Sequence, residues 1–232
     1  MRHLHSWDDF DRFRKVPAGV PAEWSEHIGR PLSAVPDPWA CHESWAEHFK
    51  APLRAALAEM GVEMEEVSQT ERYRAGAYTE QVLHAIRHRD TIEEVLAKHR
   101  TKKAAPVAEN EQEAEALADS VADEDEPEAG AAGGGSLARF PYKPYCRDCG
   151  RDTVDVTAYD DDTTDLSYTC SSCGFSGVTN VATQHEGKLV WKVDWPMRWS
   201  VEGVDFEPGG LDHSTPGSVS YTHLTLPTKR IV

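Results

Sequence analysis

No stretch of the 232 residues approaches 18 consecutive apolar side chains, so no membrane-spanning helix is expected. The first fifteen residues, Met1 to Lys15, are rich in His, Asp and Arg and lack the apolar centre of a secretory signal. Positive charge is scarce: 24 Lys and Arg stand against 40 Asp and Glu, a net charge of −16. That balance excludes a protein that coats nucleic acid by bulk electrostatics. Between Ala104 and Ala138 basic residues vanish altogether, while ten acids run from Glu109 to Glu128. Without those ten the charge falls from −16 to −6, so a local basic surface for RNA stays open. Cysteine is also sparse. There are five, an odd number, and four of them form two C-x-x-C pairs. In a chain with no export signal this pattern reads as metal binding rather than disulfide, and implies a cytoplasmic location.

What is present divides into three parts, within the length of one large or two small domains. Residues 1–100 have mixed, compact character. From Trp45 to Met60 helix formers dominate, with Trp45, Phe49, Leu53, Leu57 and Met60 three or four apart. Pro52 is expected to start a second helix, and Gly61 to cap the end. Thr79–His88 predicts a helix with Val82, Leu83 and Ile86 inward. Thr91–His99 predicts another, capped by Asp90 or Thr91, with Ile92, Val95 and Leu96 on its apolar face. Residues 101–138 form an acidic, Ala- and Gly-rich linker too poor in apolar surface to offset its ordering entropy. Residues 139–213 read as short strands: Thr153–Tyr159, a turn at Asp160–Thr163, and Leu166–Thr169. Gly177–Thr183 and Lys188–Trp195 then look like a hairpin turning at His185-Glu186-Gly187.

The sharpest motif is Cys146-x2-Cys149, twenty residues, then Cys170-x2-Cys173, with Gly150 and Gly174 following each pair. Each C-x-x-C-G makes a tight turn whose backbone N–H groups point at sulfur, and glycine permits the positive φ such a turn needs. Four thiolates then close a tetrahedron around Zn²⁺ with no open position, a structural rather than catalytic site. A second cluster lies in PDPWACHESWAEHF: Asp37, Cys41, His42 and His48. These could make one mixed zinc site if a loop folds back on itself. Spacing alone favours the plainer reading, a polar helix start with exposed histidines and one buried cysteine.

The runs HLHSWDDFDRFRKVP, VPDPWACHESWAEHF and VDWPMRWSVEGVDFEPGGLDHSTPGS, together with the cysteine pairs, resemble the middle of a class I lysyl-tRNA synthetase of archaeal and actinobacterial type. The resemblance covers residues 2–217 apart from the acidic insertion. It implies an α/β fold, part of a Rossmann-type class I synthetase catalytic domain with an inserted zinc-ribbon connecting domain. Residues 1–100 would belong to the catalytic domain and its connecting helices, 101–138 to a disordered linker, 139–186 to the zinc ribbon and 187–217 to the return into the catalytic domain. Residues 218–232 continue no earlier pattern and resemble read-through tails on truncated gene models.

In function the resemblance implies an ATP-dependent ligase that activates lysine as an adenylate and passes it to tRNA-Lys, with no membrane or DNA partner. It carries two zinc ions onto Asp37, Cys41, His42, His48 and onto Cys146, Cys149, Cys170, Cys173, with ATP and Mg²⁺ as substrate. Trp191 and His213 sit where the family is similar in placing an aromatic and an imidazole around lysine, although strand core and surface turn would explain them too. Asp194, Asp205 and Asp212 are expected as hydrogen-bond anchors at strand ends.

The departures carry as much weight. His27-Ile28-Gly29-Arg30 spells something near the HIGH motif of class I synthetases but follows no hydrophobic strand. Pro227-Thr228-Lys229-Arg230 does not substitute for a KMSKS motif, Leu211 stands where lysine is expected, and the helical anticodon-binding part is absent. These motifs stabilise phosphate charge during adenylate formation, so no catalytic residue is assigned and the fragment is expected to be inactive alone. The competing readings are a non-enzymatic zinc-ribbon binding module and a metallohydrolase on Cys41, His42 and His48 with Glu43 or Glu47 as base. The latter lacks the paired i, i+4 histidines such sites use.

Overall fold

The computed structural model describes residues 2–99 and 136–208. Most of the acidic linker, Leu211, Asp212, His213 and the 218–232 tail lie outside the described residues. The chain divides into two compact units, Met1–Leu83 with Tyr142–Lys188, and His84–Pro141 with Leu189–Val232. The class is mixed α/β.

In the first unit, β1 (Leu4–Trp7) and β2 (Glu65–Ser68) pair in parallel, Leu4 opposite Glu65 and Trp7 opposite Ser68. Parallel neighbours need a crossover, and helix α1 (Trp45–Glu59) lies between them in the chain. Ser44 caps α1 by accepting the Glu47 N–H at 3.2 Å. At the other end Gly61, at φ +67°, donates to Ala58 O while Val62 donates to Leu57 O, a Schellman closure. The expected break at Pro52 is corrected: Pro52 sits inside α1. It removes the N–H that would reach the carbonyl of His48, four residues back, and sets its ring against that carbonyl.

The inward face of α1 also differs from its apolar periodicity. Trp45 is buried, but Phe49, Leu53 and Met60 face out, while Ala46 and Lys50 are buried. The cause is Asp9, at the end of β1. Its carboxylate accepts Lys50 Nζ at 2.7 Å, Ser68 Oγ at 2.6 Å and the Thr70 N–H at 2.8 Å. Lys50 also donates to Glu47 at 2.8 Å, and Arg54 bridges Glu47 to Glu66. An ion pair outbids the apolar row for the inward position because Asp9, buried beneath α1, requires a cation.

Around this frame Phe10 packs on Tyr73 and Tyr145 with ring centroids 5.6 and 5.0 Å apart. Phe13, Val35 and Trp45 form a second cluster, flanked by Val16, Val20, Trp24 and Leu32. Helix α2 (Gln69–Arg74) follows β2 directly, capped by Ser68, and α3 (Thr79–Arg87) buries Val82 and Ile86 as expected. Helix α4 (Arg89–His99) begins earlier than predicted, so Asp90 lies in its first turn instead of at its cap.

Beyond the linker, β3 (Tyr142–Pro144) pairs with β7 (Gly187–Leu189), and β4 (Val154–Tyr159), β5 (Asp165–Cys170) and β6 (Ser176–Asn180) form an antiparallel sheet. Asp160 makes the predicted turn, its Oδ1 accepting the N–H groups of Asp162 and Thr163. The second predicted hairpin does not form. β6 pairs with β5, β7 with β3, and Trp191–Glu202 is helix α5. The alternation from Lys188 to Trp195 mimics a strand. A spacing of four suits the helix: the rings of Trp191, Trp195 and Trp199 meet successively at 5.4 and 6.3 Å, tilted and then edge-on, and Asp194 pairs with Arg198.

Lys50 and Glu47 set opposite pH limits on the α1 network. Burial alone would disfavour both charges, but for Lys50 the contacts to Asp9 and Glu47, and for Glu47 the contacts to Lys50 and Arg54, outweigh it. Lys50 is raised above its ordinary 10.5 and Glu47 lowered below its ordinary 4.5. A raised lysine loses its contribution as pH climbs through the folded value, and a lowered glutamate as pH falls through its own. The contribution is therefore complete between 4.5 and 10.5. Lys50→Met leaves Asp9 buried without its cation and is expected to destabilise the chain by roughly 3–5 kcal/mol, measured by urea unfolding.

Candidate metal centres

Two knuckles of the same design carry the four-cysteine set. In the first, the Cys146 N–H donates to Arg151 O and the Gly150 N–H to Cys146 O, at 2.8 and 2.7 Å. In the second, the Cys170 N–H donates to Phe175 O and the Gly174 N–H to Cys170 O, at 2.8 and 2.9 Å. Gly150 and Gly174 both take positive φ, +73° and +75°. The hairpin of β4 and β5 brings the knuckles together, with Val154 opposite Cys170.

The sulfurs of Cys146 and Cys173 lie 3.7 Å apart, and those of Cys149 and Cys170 3.6 Å apart. A tetrahedron with metal–sulfur bonds of about 2.3 Å has edges of about 3.8 Å. The donor set and its spacing therefore fit Zn²⁺. Burial opposes ionisation of Cys170, but N–H groups of Cys173 and Ser172 and the neighbouring thiols lower it to about 7. Burial raises Cys149. At Cys173 the Phe175 N–H favours the thiolate, yet burial and the other thiols prevail and push it up to about 12. The neighbouring sulfurs thus titrate apart, Cys170 lowered and Cys149 and Cys173 raised.

The second set comes together as well. Asp37 is buried, and its Oδ2 accepts the N–H groups of Cys41 and His42 at 3.0 and 2.8 Å. Oδ1 accepts the Trp39 N–H at 3.1 Å. Burial works against the Asp37 anion, but these N–H donors and the Cys41 thiol outweigh it and hold its carboxyl well below the usual range. The same carboxylate raises Cys41. Cys41 Sγ lies 3.2 Å from Asp37 Oδ2, 3.1 Å from His42 Nδ1 and 3.3 Å from His48 Nδ1. His48 Nδ1 is 3.3 Å from Asp37 Oδ2. Bonds of about 2.0–2.3 Å to one O, one S and two N would give edges of roughly 3.3–3.6 Å, close to these spacings. The back-folded loop holds because Ala40 takes φ +54° and donates its N–H to Asp37 O. Cys41 is exposed, contrary to the alternative of one buried cysteine.

The near-HIGH string has another use. Gly29, at φ +90°, accepts the Asp152 N–H through its carbonyl, and Arg30 Nε donates to Cys149 O at 3.1 Å. His27–Arg30 is thereby a docking edge for the first cysteine knuckle. Trp191 is the half-buried first residue of α5 and not a strand residue. Asp194 is no strand-end anchor, being fully buried in α5 and bonded to Arg198, while Asp205 is exposed. Tyr73, Tyr78, Tyr142 and His185 line a small hollow.

A family model described as tRNA synthetases class I (K) matches residues 1–231. The chain belongs to that family. Among class I (K) synthetase relatives, the lysine–tRNA ligase of Streptomyces coelicolor is 54% identical over 228 residues, which are 94% of this chain and 38% of that protein. That of Pyrococcus horikoshii is 38% identical over 94% of this chain and 36% of its own length. That of Treponema pallidum is 33% identical with the same coverage. The chain spans a little over a third of these relatives.

Because thiols in the four-cysteine set hold protons at neutral pH, metal binding there must release them. Calorimetric zinc titrations at pH 7 in buffers of different ionisation enthalpy are expected to show net proton release and affinity rising with pH. Cys170→Ser is expected to reduce both the release and the bound metal.

Proposed function

We propose that this chain is the metal-bearing central part of a lysine–tRNA ligase, an enzyme that in its whole form joins lysine to tRNA-Lys at the expense of ATP with Mg²⁺. The observation that carries the reading is two separate donor sets at metal-coordination spacing in a chain 54% identical to a lysine–tRNA ligase over 94% of its length. Both sets are closed by protein ligands, so the ions, read as Zn²⁺, hold structure and leave the phosphate chemistry to other parts of the ligase.

The succession of β1, α1 and parallel β2 supports reading residues 1–100 as part of a Rossmann-type domain, in which Asp9 and Ser68 lie at the carboxyl ends of the strands. The knuckles and the β4–β5–β6 sheet support a zinc ribbon over 139–186. Among the described residues no helix is long and apolar enough to cross a membrane, in keeping with a cytoplasmic enzyme. Trp191 opens α5 in the run that resembles the family's lysine site, and together with His213 it is assigned to substrate lysine. Asp194, locked to Arg198, would act there by fixing the helix.

A chimera tests the assignment. Residues 1–217 replacing the matching part of the Streptomyces coelicolor ligase should restore lysine-specific charging of tRNA-Lys. Charging with another amino acid, or a folded chimera that charges nothing, would contradict the reading. In that chimera Trp191→Ala should raise the KM for lysine roughly tenfold. The isolated chain should show no lysine-dependent ATP–pyrophosphate exchange.

A further inference from the structure

Beside the mixed donor set stands an aromatic residue that neither the sequence pattern nor the family assignment uses. We propose that Trp39 is a positioning residue for this metal site, its indole holding the His48 ring so that Nδ1 faces Cys41 and Asp37. The proposal rests on the reading of Asp37, Cys41, His42 and His48 as metal ligands.

Trp39 stacks on His48 with ring centroids 4.3 Å apart and planes 28° from parallel. Phe49 meets the same imidazole edge-on at 5.0 Å, and His42 at 5.3 Å. A histidine ring is free to turn about its terminal torsion, whose wells are broad and roughly two-fold. A half-turn would replace the donor Nδ1 with a carbon. His48 projects from the first turn of α1, and its Nδ1 contacts are to Cys41 and Asp37, themselves members of the site. The flat contact with Trp39 and the edge of Phe49 restrain the ring without occupying its nitrogens.

Burial separates Trp39 from an ordinary packing residue. It is 49% exposed, whereas Trp45, 6.0 Å away, is 8% exposed and belongs to the core. A tryptophan half in solvent adds little to the core, and of its ring contacts the one with the candidate ligand, at 4.3 Å, is much closer than those with Trp45 and Phe49 at 6.0 and 6.3 Å. Its main chain serves the same centre, since the Trp39 N–H donates to Asp37 Oδ1. One residue thus orients the carboxylate through its backbone and the imidazole through its side chain. Outer contacts of this kind are typically worth 10–100-fold in metal affinity.

Cobalt titration tests the proposal on chain already holding one equivalent of zinc at the four-cysteine site. The probe is Co²⁺, read through its visible bands and the thiolate-to-cobalt absorption of Cys41. Trp39→Ala and Trp39→Leu, which removes the stack while keeping apolar bulk, should both weaken Co²⁺ binding 10–100-fold and shift the bands. Trp39→Phe should restore affinity and spectrum to near those of the parent chain. Unchanged binding in Trp39→Leu, or failure of Trp39→Phe to rescue, would overturn the role of the stack. His48→Ala separates this from the metal assignment. Loss of the bands in His48→Ala, with Trp39→Leu unaffected, sinks the Trp39 proposal alone. Bands that survive in His48→Ala, or none in the parent chain, sink both.

Discussion

Four sulfur atoms brought within tetrahedral spacing are the constraint on which the first unit depends. Thiols at 3.6–3.7 Å gain little from one another. A divalent ion would turn the same closeness into four strong bonds. Neither knuckle is rich in apolar side chains, and β4 exposes much of its surface, so a core alone does not account for the order of this lobe. The lobe in turn supports the chain's beginning. Arg30 and Gly29 bind the first knuckle and its exit, Arg151 donates to Glu26 O, Lys188 pairs with Asp11, and Tyr145 donates to Phe10 O. Segments more than a hundred residues apart share one hydrogen-bond network, with the four-cysteine cluster at its far end.

The second donor set works on a different principle. Its carboxylate is already anionic and oriented by three backbone N–H groups, so its loop is built before any ion arrives. Its ligands are of mixed hardness, one O, one S and two N, which suits zinc and other borderline divalent ions. In the proposed reading the two sites would divide the labour between a centre whose formation is folding and one whose framework precedes the metal.

Much of this was legible in the residues. C-x-x-C-G carries its own backbone geometry, and both glycines adopt the positive φ that the motif requires. Gly61 marks the end of α1 for the same local reason. Periodicity failed where tertiary electrostatics or mixed signals intervened. Lys50 displaced the apolar row of α1 because Asp9, forty-one positions away, needed a cation, and nothing within the helix announces that partner. Alternation from Lys188 concealed the tryptophan ladder of α5, though the spacing of Trp191, Trp195 and Trp199 was open to inspection. Asp37, Cys41, His42 and His48 could not be brought together by helix spacing, since their meeting rests on the positive φ of Ala40. Trp39 was missed because an aromatic beside a ligand motif has no sequence signature.

The most direct measurement is metal content and fold together, on chain purified under reducing conditions. The account predicts about two zinc ions per chain, from one ion for each closed four-ligand set, and loss of the near-ultraviolet circular dichroism of the lobe's tyrosines when a strong chelator removes them. A chain that carries no stoichiometric metal and keeps that spectrum through chelation would contradict it.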